Sequence, residues 1–116
     1  MKLSIKQIAQ YFSKHQFELT YPFLADTIEW HLVGGEPITG KENVVRACDE
    51  SAQYMKEITT KFTKFKVISS DGCVVIDSLT EYIDKENQST MVASCDIYEF
   101  ANNHLAAITS YCIELK

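Results

Sequence analysis

The chain has 116 residues, 46% of them apolar and 23% charged, and eleven Lys and Arg against sixteen Asp and Glu give a net charge of −5. This length suits one domain, residues 1–116, around one core, and the composition excludes disordered, collagen-like and low-complexity chains. The acidic balance has the wrong sign for a protein that neutralises phosphates, so nucleic acid is not an expected partner.

Ser4 followed by Gln7 is a capping-box pair, and Ile5, Ile8, Ala9 and Phe12 recur at helical spacing, which predicts a first helix over 4–15. Phe17 to Leu24 reads as a shorter helical stretch, kinked or in two parts, because Pro22 lacks a backbone donor and restricts Tyr21. From Thr27 to Val33 the pattern alternates and predicts a strand with Ile28, Trp30 and Leu32 on one face and Glu29 and His31 on the other. Gly34-Gly35-Glu36-Pro37 is a turn, and Thr39-Gly40-Lys41-Glu42 reads as a capping box for a helix reaching about Glu57.

Beyond that helix β-branched and aromatic residues dominate, and strands are predicted over 60–70, 73–83, 89–100 and 104–115. Asp71-Gly72, Asp84 to Gln88 and Ala101-Asn102-Asn103 supply the turns. Long helices ahead of an antiparallel meander predict an α+β fold with the helices on one face of a curved sheet. The other face then carries Cys95 and Ile97 and needs cover, which predicts a homodimer.

Cys48, Cys73, Cys95 and Cys112 are scattered without metal-ligand spacing and read as reduced thiols of a cytoplasmic protein. Lysines interrupt the apolar residues at the start, so no export signal is expected. No apolar run approaches the roughly 20 residues of a membrane span, and no membrane partner is expected. Lys61, Lys64 and Lys66 interleave with Phe62 and Phe65 but fall on both faces of a strand, which is not a nucleic-acid strip. No phosphate-binding glycine loop, nucleophile elbow or metal constellation is present, and neither cofactor nor metal is expected.

Ala25-Asp26-Thr27-Ile28-Glu29-Trp30, the turn and cap Gly34-Gly35-Glu36-Pro37-Ile38-Thr39-Gly40, and Cys95-Asp96-Ile97-Tyr98-Glu99-Phe100 together resemble the nuclear transport factor 2-like superfamily. That superfamily includes SnoaL-like cyclases, ketosteroid isomerases and limonene epoxide hydrolases, so the resemblance implies a cone-shaped curved antiparallel sheet wrapped around N-terminal helices, with an apolar cavity for a small molecule. One such scaffold serves many chemistries and some non-enzymes, so activity has to be argued at the site.

Similarity to the ketosteroid isomerases implies that Tyr11 takes the place of an oxyanion-binding tyrosine. It implies likewise that Asp96 takes the place of a protonated aspartic acid, a second oxyanion donor. The proton-shuttling aspartate has no counterpart: the alignment puts either Trp30 or His31 there. Alternation turns Trp30 to the cavity, and His31 serves as a base only if a bulge turns it inward.

Asp96 shares a strand face with Tyr98 and Phe100, where burial would raise its pKa. It is either an acid aimed into the pocket or a carboxylate bonded to a Tyr or Ser of a neighbouring strand. Asp77 and Glu81 have no clear direction. Two functions fit: a non-catalytic pocket protein binding a small apolar molecule through Trp30, Tyr98 and Phe100, or an isomerase, cyclase or hydrolase of an apolar carbonyl or epoxide compound. The second would use Asp96, Tyr11 and His31.

Overall fold

The computed structural model describes residues 2–115. It contains helix α1 (Ile5–Ser13), a 3-10 helix (Phe17–Phe23), strand β1 (Leu24–Leu32), the short strand β2 (Ile38–Thr39), helix α2 (Lys41–Met55), and strands β3 (Thr59–Ser70), β4 (Cys73–Ile83), β5 (Ser89–Ala101) and β6 (His104–Leu115). The sheet runs β2-β1-β6-β5-β4-β3. Neighbours pair antiparallel except β1 and β6, which are parallel, so the sheet is mixed rather than wholly antiparallel. The parallel pair arises because the chain crosses from β1 through α2 and the whole meander before β6 returns beside it.

The first capping box forms: the Gln7 N–H donates to Ser4 Oγ at 3.1 Å and the Ser4 N–H to Gln7 Oε1 at 2.8 Å. The second does not. Thr39 is drawn into β2 opposite Glu29, and the N-cap of α2 is Gly40, with φ 90° and no side-chain cap. At that φ a residue with a side chain would be strained, so the glycine fits the turn from β2 into α2. Pro22 sits inside the 3-10 helix, and β1 begins earlier than the alternation suggested because its register shifts between Leu24 and Glu29.

Ile8, Ala9 and Phe12 of α1 and Val44 and Cys48 of α2 are buried with Ile28, Trp30, Val74, Ile76, Tyr98, Leu105 and Ile108 on the concave sheet face. Burial pushes the Cys48 thiol up to about 12, which keeps it protonated and inert. Two bulges shape the sheet. One between Phe62 and Lys64 lets Phe62 and Phe65, three positions apart, lie with ring centroids 5.1 Å apart. The other lies between Glu99 and Phe100.

Asp77 pairs with Lys64 at 2.8 Å, the Ser89 hydroxyl donates to Glu81 at 2.5 Å, and neither acid lines the cavity described below. The four cysteines are free. No helix among the described residues is long and apolar enough to cross a membrane.

Candidate functional site

The helices and the concave sheet face enclose a cavity of about 500 Å³. Strand register decides what lines its sheet side. Val74, Tyr98 and Ile108 form one rung; Ile76, Asp96 and Ser110 the next; Ser78, Ser94 and Cys112 the third. The polar character therefore rises from rung to rung, with Thr80 and Tyr82 following along β4. Phe12, Phe17 and Trp30 form an aromatic wall of edge-on contacts, Phe12 lying 4.9 Å from Phe17 and 5.1 Å from Trp30 between centroids. Ala47, Glu50, Ser51, Tyr54 and Met55 of α2 contribute to the lining as well, and Tyr54 is largely exposed.

Two polar centres stand in this cavity. In the first, the Ser13 hydroxyl donates to Asp96 Oδ2 at 3.3 Å and makes a short bond with the Tyr98 hydroxyl. Because Ser13 has a single proton and spends it on Asp96, the Tyr98 hydroxyl is the donor to Ser13. Trp30 Nε1, which can only donate, reaches Ser110 Oγ at 3.3 Å. The chain from Tyr98 through Ser13 thus ends on the Asp96 carboxyl, and Ser110, the acceptor of Trp30, is the residue that pairs with Asp96 across β5 and β6. Burial raises the Asp96 pKa, and the Ser110 and Ser13 hydroxyls work against that rise. Tyr98, wholly buried beside this carboxyl, has its phenol pKa pushed up by burial and then by the Asp96 charge.

In the second centre, His15 Nε2 lies 3.2 Å from the Tyr82 hydroxyl, and its ring packs on Phe17 with centroids 5.6 Å apart. Burial lowers the His15 pKa. The Tyr82 phenol pKa is raised, chiefly by burial. Among the described residues no three His, Cys, Asp or Glu side chains are grouped to hold a metal ion.

Asp96, Tyr98 and Trp30 all line the cavity, and on β1 it is Trp30 and Leu32, not His31, that face it. Tyr11, His31 and Phe100 do not line it. Tyr11 borders the Gln7 and Ile8 edge of the α1 stripe, whereas Ser13, one turn beyond Ala9, stands on the edge that faces Asp96. Ser13 thus occupies the role in which Tyr11 was expected, as the helix hydroxyl at the carboxyl. His31 keeps the strict alternation of β1 and points away from Trp30, since no bulge falls beside it. Phe100 follows the β5 bulge and packs against the core instead.

His15, Tyr82 and the hydroxyls of Ser78, Thr80, Ser94 and Ser110 were missed. Ser78, Thr80 and Tyr82 share one parity of β4, but Asp77 and Glu81 on the other parity blur the period-2 signal for them. His15 carried none, because it lies just past the periodic part of α1.

A curved sheet with helices packed over its concave face defines a cone-shaped α+β fold. An NTF2-like protein of unknown function from Cytophaga hutchinsonii is 36% identical to this chain, over 91% of this chain and 93% of that one, with a TM-score of 0.81. This chain belongs to the NTF2-like family. An LEH-like epoxide hydrolase of M. tuberculosis has a TM-score of 0.66 at 13% identity, covering 90% of this chain and 75% of that one. A putative polyketide cyclase of Pseudomonas putida has a TM-score of 0.71 at 11% identity, covering 95% and 92%. Likeness at those identities is one of fold alone. No protein-family model matches the chain, and no curated protein does.

Proposed function

We infer that the chain binds a small, largely apolar molecule in its cone cavity without transforming it. The observation that carries this is the cavity itself: about 500 Å³ with an aromatic wall and a few placed hydroxyls, which is the size and lining of a small-molecule site. A binding role is favoured over catalysis because the hydroxyl chain from Tyr98 through Ser13 ends on Asp96 within the protein, which ties that carboxyl to α1. The test uses Trp30, the single tryptophan, which lies on the cavity wall. Titration with uncharged aromatic compounds is expected to shift its emission in step with heats measured by calorimetry. Compounds that bind by calorimetry and leave the emission unchanged place the site elsewhere.

The convex sheet face supports a homodimer: Tyr111, Ile113 and Leu115 are exposed there, Ile113 at 63%, along with half-buried Cys95 and Ile97. A cytoplasmic setting agrees with four free thiols.

One observation favours a second reading, an isomerase, cyclase or hydrolase of a carbonyl or epoxide compound. Asp96 with raised proton affinity and His15 with lowered affinity share one cavity, the pairing that acid and base chemistry needs. Turnover of an epoxide or enolisable ketone, lost in Asp96→Asn while binding survives, would establish it over simple binding.

A further inference from the structure

His15 follows the last turn of α1 with φ 64°, the left-handed conformation in which helices end most readily on glycine. Its own N–H donates to the Phe12 carbonyl at 3.1 Å and the Gln16 N–H to the Tyr11 carbonyl at 2.9 Å, closing the helix end. A side chain is disfavoured at such a position, and here it carries an imidazole into the cavity against Tyr82.

The unbonded ring nitrogen decides how the protons are arranged. His15 Nδ1 is buried and has no hydrogen-bond partner among the described residues. Nδ1 is sealed off, whereas Tyr82 is only partly buried and lines the cavity. The proton left without a protein partner thus sits on the phenol, where water or a ligand can take it, and Nδ1 carries the lone pair and Nε2 the proton. His15 therefore donates to the Tyr82 oxygen. The phenolic proton of Tyr82 has no acceptor of its own among the described residues, and the Thr80 hydroxyl also favours charge on that oxygen. A phenol whose oxygen is already an acceptor and whose proton is unclaimed has that proton to give to a ligand.

The charge of the lining narrows the ligand further. Glu50 and Asp96 line the cavity, and no Lys or Arg does, so an anion would find no counter-charge. We propose that Tyr82 is the hydrogen-bond donor that selects the ligand, giving its proton to an uncharged acceptor oxygen, with His15 as the positioning residue behind it. This rests on reading the cavity as a ligand site.

Two measurements test it. Nitrogen-15 NMR of histidine-labelled protein at neutral pH is expected to show His15 as the neutral Nε2–H tautomer, and Nδ1–H or a cationic ring overturns the proposal whatever the cavity binds. Calorimetry then compares methyl naphthyl ketone, its isopropenyl isostere and naphthoate. The ketone is expected to bind about tenfold tighter than the isostere, the value of one ordinary hydrogen bond, and naphthoate weakest. In Tyr82→Phe the ketone falls to the level of the isostere, whose own unchanged binding shows that the cavity is intact. His15→Gln, which keeps a donor, retains more of the ketone preference than His15→Leu. Equal binding of ketone and isostere, or a preference that survives Tyr82→Phe, overturns the role of Tyr82 and leaves the cavity reading standing. No binding by either compound overturns both.

Discussion

Ser13→Ala should be far more damaging than the loss of one half-buried hydroxyl from a helix end. The Ser13 oxygen accepts from Tyr98 and its proton goes to Asp96, so the substitution leaves two groups wanting at once. Tyr98 is 1% exposed, and an orphaned buried hydroxyl costs about 1–3 kcal/mol. The middle of that range, about 2 kcal/mol, lowers Tm by about 8 °C at roughly 4 °C per kcal/mol for a chain of this size. Tyr98→Phe removes the donor while Ser13 still bonds Asp96, and should cost about 1 kcal/mol.

The informative variant is the double substitution. Once the phenol is gone, Ser13→Ala orphans nothing on Tyr98, so the pair should cost no more than Ser13→Ala alone, a coupling of about 1 kcal/mol. Urea unfolding of the four proteins closes the cycle. Single costs that add to within about 0.5 kcal/mol would refute the directed chain from Tyr98 through Ser13 to Asp96.

Asp96 and His15 give opposite pH dependences, and their variants separate them. The raised Asp96 pKa means that the unfolded chain loses this proton first, so stability falls as pH climbs from about 3.8 toward the folded value, and Asp96→Asn should flatten that slope in unfolding curves taken across pH. The lowered His15 pKa does the reverse: its contribution is present above 6.5 and is lost as pH falls through the folded value, a loss that His15→Gln should remove. Phe12→Ala should cost about 3–5 kcal/mol in denaturant unfolding and shift Trp30 emission, since Phe12 is buried against Phe17, Trp30 and Tyr98; less than about 1.5 kcal/mol would mean that the aromatic wall is not a core element. Ile113→Lys should give a monomer by light scattering where the parent gives a dimer, and a monomeric parent would remove the reading of the convex face.

The fold was largely legible because its determinants are local and periodic. Ser4 and Gln7 announce α1, the alternation of Ile28, Trp30 and Leu32 sets the inward face of β1, and Asp71-Gly72 and Asn102-Asn103 punctuate the meander, with φ 53° and 64° at the two asparagines. The cap of α2 was not legible, because Thr39 has two uses, as a capping side chain and as a strand residue, and pairing with Glu29 wins. The parallel contact of β1 with β6 depends on where the chain ends travel and leaves no mark on either strand.

The site was legible only where a strand carried it. Asp96 and Tyr98 share a face by a period of two, so one rule places both in the cavity. Ser13 and His15 answer them from the far side; Ser13 is one turn beyond Ala9 but breaks the apolar stripe, and His15 lies past the helical period. Ser13 is the last helical residue, and His15 is turned inward by a left-handed backbone that a sequence without glycine at that position does not advertise. The two polar centres therefore share one mechanical origin. The turn that stops α1 sets Ser13 on Asp96 and Tyr98 and, two residues later, His15 on Tyr82. Relaxing that turn would disturb both centres together, whereas any change confined to one strand would disturb only one.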